Sequence, residues 1–362
     1  MKQELNWLYE LKDEVKDFLS HQKSSVKKGY YHYSYSGDIY DESIDWNVGS
    51  SVFALKLYYL LGMEKNQYII NTIDYIKSFQ SGDKIYDHFI FKKGLIRNFL
   101  GSLKNKNFTN LLNHQYKSAE TRQSLSALML YGELPNSLKL DIPTSKEEIE
   151  KYLTLLNWSE PWGAGSHFSH LMFFYRVAKE TGQISLKQFD TYTNIAIERI
   201  NKIYHTDTGG WYKGDQTNRY IVNGAMKILT GLIAVDKVDI PAPEALIDTC
   251  LKATNDLDAC DNFNIILVLN YTSKQLGRNY RQKEIENFAL NRLQKYKAHY
   301  KKEQGGFSFF LNGSNTRYYG AKITKGLNEA DIHGTVLFMW GISIITQILG
   351  LENEFDFREF LT

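Results

Sequence analysis

The sequence predicts an all-α protein, built as a single (α/α)6 toroid domain over residues 1–362, with six inner and about six outer helices. Three observations predict this class: proline is scarce, buried and amphipathic helical patterns alternate, and short glycine-containing motifs recur. Only 5 prolines occur in 362 residues, which favours long helices. A hydrophobic content of 43% and a charged content of 23% are ordinary for a globular chain and exclude a disordered one.

Six segments are apolar on nearly every side and form the predicted inner ring. A helix without a polar face must be surrounded by protein. The six segments are residues 47–62, 124–132, 168–178, 220–235, 263–271 and 334–351. The last of them carries Thr335, Ser343 and Thr346 and lacks basic flanks. It therefore predicts a buried helix and not a membrane span.

Amphipathic segments between the buried ones form the predicted outer layer. Residues 186–204 and 281–301 each place their apolar side chains on one stripe. Residues 5–18 have the same spacing and are charged throughout, so they predict a helix and not a signal peptide. The chain has two cysteines, Cys250 and Cys260, too few for a disulfide framework. A reducing, cytoplasmic location is expected.

Internal repeats support a closed ring of helical hairpins. SGDIYD at 36–41 recurs as SGDKIYD at 81–87, and TDTGGWY at 206–212 recurs in outline as KEQGGFS at 302–308. Repetition of this kind is typical of solenoids, and a ring is a solenoid closed on itself. These segments are predicted to be loops.

Charge and motifs narrow the classes of partner. Lys and Arg number 43 against 41 Asp and Glu, so the net charge is +2 and no concentrated positive charge predicts nucleic-acid binding. The sequence has no phosphate-binding glycine loop, hydrolase nucleophile elbow or zincin helix motif. A small-molecule or sugar substrate in the toroid cavity is expected, and the sequence assigns no oligomeric state.

The toroid predicts a site at one end of the ring. If alternate helices are antiparallel, all inner helices begin at the same end, and the polar residues at their starts converge there. The predicted substrate-binding residues are Trp46, Glu120, Arg122, Trp162, His170, Trp211, Arg219, Asn223, Asn264 and Arg317. The predicted catalytic residues are Asp45, His167, Asp258, Tyr318, Asp331 and His333.

Several of these predictions have a structural alternative. Asp45, Glu120 and Asp331 are the residue type that caps helix N-termini, so they have a simple role without chemistry. His167 and His170 share a helix face, which suits a metal, an acid–base pair or ordinary hydrogen bonds. Asn223, Lys227 and Asn264 are different, because an amide or ammonium inside an apolar helix needs a partner or a water-filled lumen.

The glycine-containing loops carry a resemblance. Gly209-Gly210-Trp211 and Gly305-Gly306-Phe307, each before an apolar helix, resemble the α/α toroid of terpenoid cyclases and protein prenyltransferase β subunits. Asp258-Ala259-Cys260 resembles the Asp-x-Cys zinc motif of the prenyltransferases, and the segment 331–335 resembles their later histidine. The resemblance implies one zinc held by Asp258, Cys260 and His333, which would activate a substrate thiol for attack on a prenyl diphosphate. The alternative is a buried Cys260 without a metal.

Three functions remain open at this point. The first is a prenyltransferase-like or terpenoid-cyclase-like enzyme. The second is a carbohydrate-active enzyme of the glycoside hydrolase or uronate lyase type, in which aromatic side chains such as Trp162 stack on sugar. Its acid and base would be Asp45 with Asp258 or Asp331, or Tyr318 and His333 beside Arg317. The third is a toroid that binds a peptide or partner without catalysis. An aromatic and aliphatic cavity would indicate an isoprenoid substrate, and a polar one a sugar.

Overall fold

The structure is a computed structural model that describes residues 5–105, 114–135 and 138–360, and it is mostly helical, as the sequence predicts. The helices are, in chain order, α1 (Leu11–Gln22), α2 (Val48–Leu60), α3 (Gln67–Lys77), α4 (His88–Asn105), α5 (His114–Met129), α6 (Lys146–Thr154), α7 (Pro161–Glu180), α8 (Leu186–Asn201), α9 (Asn218–Ala234), α10 (Pro243–Lys252), α11 (Ala259–Gln275), α12 (Gln282–His299), α13 (Ile332–Ile348) and α14 (Glu352–Phe355).

The six apolar segments all form helices, namely α2, α5, α7, α9, α11 and α13. Two of these helices begin about two turns or more before their apolar patterns. Residues 124–129 of the segment 124–132 belong to the second half of α5, which begins at His114, and the segment 168–178 lies within α7, which begins at Pro161. Proline suits the first helical position because its missing N–H would have no partner there. The first turn of α5 is polar, and α7 begins with Pro161, Trp162 and Gly163 before Ser166 and His167, so neither start continues the apolar pattern.

Contacts among these six helices run in a closed cycle. Each of them packs on the next one along the chain, from α2 through α5, α7, α9 and α11 to α13, and α13 packs on α2. The amphipathic helices lie against them: α3 on α2, α8 on α7, α10 on α9 and α11, and α12 on α11 and α13. Their apolar stripes join a continuous hydrophobic core. One polar face of each amphipathic helix remains in water.

Three of the four repeated segments, at 81–87, 206–212 and 302–308, lie in short antiparallel hairpins, which the all-α prediction did not include. The segment 36–41 forms turns without a strand, and a fourth hairpin lies at 317–322. The paired strands are β1 (Gln80–Ser81) with β2 (Lys84–Ile85), β3 (Tyr204–His205) with β4 (Gly210–Trp211), β5 (Tyr300–Lys301) with β6 (Gly306–Phe307), and β7 (Arg317–Tyr318) with β8 (Ala321–Lys322). In the two Gly-Gly-aromatic loops the first glycine has a positive φ, which the turn requires and most side chains resist.

In the described part of the chain, none of the helices is both long enough and apolar enough to span a membrane. The segment 334–351 that raised this question lies almost entirely within α13, whose side chains are buried among the neighbouring helices. Cys250 and Cys260 are both free thiols.

Candidate functional site

All six buried helices contribute to one central cavity of about 290 Å³. The loop around the hairpin β7–β8 and the C-terminal Phe360 complete its wall. An adjoining groove of about 840 Å³ extends from it toward α4. The side chains that border both spaces are Arg122, Gln123, Trp162, Lys227 and Tyr319. A ligand therefore has a central chamber and a wider approach beside it.

The charged side chains that line the central cavity are all basic. Lys56, Arg122 and Lys227 lie in the third turn of α2, α5 and α9 respectively, and all three line the cavity. Arg317 reaches the cavity from β7. Among the described residues that line the cavity or the groove, none is Asp or Glu. The lining of the site therefore concentrates positive charge.

This concentration changes the pKa values of the basic groups. Burial, followed by the nearby Arg122, lowers the pKa of Lys227 to about 8. Burial lowers the pKa of Arg122 to about 10. The pKa of Lys56 falls well below its ordinary value because the side chain is buried and faces the other two cations, and its Nζ donates to Gln123 Oε1. An anion that binds beside such buried cations stabilises their charged forms.

The imidazole of His333 is fixed at the start of α13. Its ring stacks on Phe53 with the ring centroids 4.6 Å apart, and its Nδ1 lies 2.8 Å from the Tyr33 hydroxyl. Asn315 Nδ2 donates to the same hydroxyl at 3.0 Å. Burial and the charges of the two cavity lysines lower the pKa of His333 to about 3. The imidazole is therefore neutral at physiological pH and faces the cavity as a hydrogen-bonding group.

Tyr318 and Glu120 form a second buried pair. The Tyr318 hydroxyl lines the cavity and donates to Glu120 Oε1 at 3.1 Å. Burial, and then the charge of Asp87, raise the pKa of Glu120 to about 8, so this carboxyl group holds a proton at neutral pH. A Cβ at Gly49 would lie 2.7 Å from the Tyr318 ring, so α2 approaches the phenol closely only because this residue is glycine.

The turn after Tyr318 is strained. Tyr319 has φ of 45°, a left-handed conformation that is unfavourable for an aromatic residue. Its ring packs on Tyr116 at 4.6 Å and on Tyr318 at 4.7 Å between ring centroids. Strain of this kind persists where surrounding contacts enforce it, and it is common at functional sites.

A buried polar network extends from α9 to α11. Asp261 is fully buried and accepts from Arg219 Nε at 2.8 Å and from Asn223 Nδ2 at 2.9 Å. Asn223 Oδ1 accepts in turn from Asn264 Nδ2 at 2.8 Å and from Asn255 Nδ2 at 3.0 Å. Only Asn264 of this group lines the central cavity. Arg219 and Asn223, which the sequence assigns to substrate binding, thus fix the position of Asn264.

The structure brings many of the predicted site residues together. Those lining the central cavity are Arg122, Trp162, Cys260, Asn264, Arg317, Tyr318 and His333. His170 lines the groove, and Glu120 lies directly behind Tyr318. Glu120 and Arg122 were expected at a helix start, but both lie inside α5 because that helix begins at His114.

Three predicted catalytic carboxylates lie outside the cavity. Asp258 Oδ1 accepts from the Asp261 backbone N–H at 3.0 Å, and Asp331 Oδ1 accepts from the Gly334 N–H at 2.8 Å. Both are helix N-caps, which is the structural alternative for Asp331. Asp45 caps no helix and is on the surface, where its side chain is 88% exposed and pairs with Lys27. All three carboxylates are therefore engaged in contacts outside the cavity.

Three further predicted residues also lie outside the central cavity and the groove. Trp46 is buried against Tyr40, with the ring centroids 5.2 Å apart. Trp211 is buried in its hairpin, and its indole N–H donates to Asn201 Oδ1 at 3.0 Å. His167 Nδ1 lies 3.2 Å from the Tyr152 hydroxyl. Of this histidine pair, only His170 therefore lines the groove, and His167 lies beside it.

The predicted zinc ligands do not form a ligand set. Within the described ranges, no group of three or more His, Cys, Asp or Glu side chains is placed to hold a metal ion. Cys260 and His333 both line the cavity, but the Asp258 carboxylate caps its own helix. These residues do not fit zinc in this arrangement.

Several cavity residues were not identified from the sequence, namely Phe53, Lys56, Asn315 and Trp340. Lys56 had a usable signal, because it is a charged residue inside the apolar segment 47–62, as Lys227 is inside the segment 220–235. Asn315 belongs to a long loop whose path no periodic pattern predicts.

Comparison of the chain with protein-family models, curated proteins and solved structures gives no match. The function must therefore be inferred from the chemistry of the cavity.

Proposed function

We propose that the six buried helices form an (α/α)6 toroid and that its central cavity is the active site of an enzyme for an anionic substrate. The closed cycle of helix contacts supports the toroid. One observation carries the function: Lys56, Arg122, Lys227 and Arg317 line the cavity, and no carboxylate is found among the described residues that line it. A surplus of basic groups in a cavity favours a ligand that brings negative charge.

The same observation selects between the carbohydrate-active reactions. A glycoside hydrolase uses two carboxyl groups beside the scissile bond. Elimination from a uronate instead needs cations on the sugar carboxylate, a base for the proton on the adjacent carbon, and an acid for the leaving oxygen. The cavity has cations, a lysine with a lowered pKa and a tyrosine backed by a protonated carboxyl group. We therefore favour a lyase that acts on uronate-containing saccharides.

Each group has one role in this proposal. Arg122 and Arg317 bind the uronate carboxylate, and the neutral amine of Lys227 takes the proton from the adjacent carbon. The electron pair of that C–H bond forms a carbon–carbon double bond while the glycosidic C–O bond breaks. Tyr318 gives its proton to the leaving oxygen, and Glu120 returns a proton to Tyr318. Lys227 loses the abstracted proton to solvent, and Glu120 regains one, so the protein returns to its starting state.

The pKa values of Lys227 and Glu120, both about 8, set the pH dependence. The base is active when Lys227 is deprotonated, and the acid is active when Glu120 is protonated. The rate should therefore rise as the pH approaches 8 and fall above it.

The test is an assay of elimination on uronate oligosaccharides, followed by the ultraviolet absorbance of the unsaturated sugar. Tyr318→Phe removes only the hydroxyl, and we expect turnover to fall by about a hundredfold or more. Tyr212→Phe is the matched control, because Tyr212 is also buried but lines neither the cavity nor the groove. Tight binding of uronates without any unsaturated product would instead favour a binding toroid without catalysis.

A prenyltransferase-like or cyclase-like enzyme is the second candidate, and the apolar part of the cavity favours it. The apolar side chains on α9, α11, α13 and the C-terminal segment are Met226, Phe263, Val336, Leu337, Trp340 and Phe360. They would contact an isoprenoid chain while the cations bind its diphosphate. Calorimetry separates the candidates: an isoprenoid diphosphate that binds at least about tenfold more tightly than inorganic diphosphate, with the difference lost in Trp340→Ala, would select this function.

A further inference from the structure

Helix α4 has two faces with different environments. Gly94, Asn98, Gly101 and Ser102 line the groove beside the central cavity. The opposite face exposes four large apolar side chains, Ile96, Phe99, Leu100 and Leu103, at 70%, 46%, 58% and 48% of their surface. Their spacing of three, four and seven residues places them on one stripe of the helix. Soluble proteins rarely expose a contiguous apolar stripe without a binding partner.

The charges of α4 are all of one sign. The helix contains Lys92, Lys93, Arg97 and Lys104 and has no Asp or Glu over its 18 residues. All four basic side chains are exposed, and Arg97 also borders the groove. By helical geometry, Lys92 falls within the apolar stripe, while Lys93, Arg97 and Lys104 lie along one edge of it. An apolar stripe edged by basic residues is typical of helices that lie in the surface of a membrane.

We propose that α4 docks the protein on an anionic membrane surface, with the apolar stripe inserted among the acyl chains and the lysines at the headgroups. Charge complementarity selects this occupant. A two-fold dimer through the stripe would place the same basic helix against itself, and like charges would repel. An anionic bilayer offers negative charge on every side of the helix together with an apolar interior. This proposal is independent of the reaction in the cavity.

The test is co-sedimentation of the full chain with vesicles of phosphatidylglycerol and phosphatidylcholine, compared with phosphatidylcholine alone. We expect binding to the anionic vesicles that weakens as salt is added. The double variant Ile96→Ser with Leu100→Ser should lose affinity by about tenfold or more, because two apolar side chains no longer enter the bilayer. The matched control is Leu155→Ser with Leu186→Ser, since these leucines are 75% and 65% exposed on other parts of the surface.

The charge contribution is tested separately with Lys92→Gln, Lys93→Gln and Lys104→Gln, which leave the groove residue Arg97 unchanged. Each substitution should lower the affinity for anionic vesicles by about fivefold. Lys187→Gln, on an exposed lysine of α8, should have little effect. Because all these side chains are exposed, circular dichroism should show that every variant remains folded.

Four results of the vesicle assays would overturn the proposal. They are absence of vesicle binding, equal binding to uncharged vesicles, equal loss in the control variants, or competition by a soluble polyanion that binds the double variant Ile96→Ser with Leu100→Ser as tightly as it binds wild type. Two other results would overturn it by assigning the stripe to a different occupant. A wild-type dimer that dissociates in the double variant would assign the stripe to a second copy of the chain. A large loss of thermal stability in that variant would assign it to a segment of the chain itself.

Discussion

Substitution of Lys227 by methionine tests whether the charge of this side chain destabilises the fold while it supports the binding of an anion. The two side chains have similar length and shape, so the Lys227→Met side chain would fill the same space on α9 without the charge. The ordinary pKa of lysine is 10.5, and that of Lys227 is about 8. Each pKa unit corresponds to about 1.4 kcal/mol, so the buried charge destabilises the native state by about 3 kcal/mol at neutral pH. Lys227→Met should therefore stabilise the protein by up to about 3 kcal/mol.

The sign of the effect depends on pH. Below about pH 8 the lysine is protonated in both the folded and the unfolded chain, so the whole penalty is present. Between pH 8 and 10.5 the folded chain loses the proton first, and the penalty disappears. The stability difference between Lys227→Met and wild type should therefore be largest at pH 7 and decline toward pH 10.5.

Chemical denaturation at several pH values measures this difference, and calorimetry with a uronate oligosaccharide measures binding. The variant should unfold at higher denaturant concentration and bind the anion at least about tenfold more weakly. Lys202→Met, at an exposed lysine, is the control and should change stability by less than about 0.5 kcal/mol. Two results would refute the proposed penalty of the buried Lys227 charge. One is a Lys227→Met protein that is less stable than wild type at pH 7, and the other is a variant that binds the anion as tightly as wild type does.

Three further predictions concern the same cavity. Gly49→Ala should lower turnover by about a hundredfold with little loss of helix, because the new methyl group displaces the Tyr318 ring; unchanged turnover would contradict this contact. Glu120→Gln should stabilise the protein relative to wild type increasingly from pH 4.5 to 8, by about 1.4 kcal/mol per pH unit, because the wild-type carboxyl group must stay protonated in the folded state. A stability difference between variant and wild type that stays constant with pH in denaturation experiments would contradict this prediction. Elemental analysis of protein purified without chelator should find less than about a tenth of a zinc per chain, whereas one zinc per chain would restore the predicted metal site.

The six buried helices were predictable because a helix with no polar face has few alternatives. The prediction failed at the starts of α5 and α7, where polar side chains such as Gln115 and Ser166 border the groove and interrupt the apolar pattern. The same residues that hide a helix boundary therefore identify its ligand-facing part. A polar stretch that continues directly into an apolar helix therefore indicates both an earlier helix start and the part of the helix that borders the groove.

The site was predictable where a polar residue lies inside an apolar helix, as for Lys227 and Asn264. The site was not predictable where a structural role and a catalytic role would place the same residue type at the same position in the sequence. Asp331 stands at a helix start whether it caps the helix or performs chemistry, and only its hydrogen bonds separate the two roles. The pair of Glu120 and Tyr318 is 198 positions apart, so no local spacing connects the two residues.

The closed cycle of helix contacts also determines when the cavity exists during protein synthesis. Its wall includes side chains of α2, near the beginning of the chain, and of α13, which is the last of the six buried helices to leave the ribosome. A nascent chain that ends before α13 lacks His333 and Trp340 and leaves one side of α2 and α11 exposed to water. Such long-range closure slows folding and leaves apolar surface uncovered until late. The cavity is thus complete only after α13 and the C-terminal segment that carries Phe360 have docked.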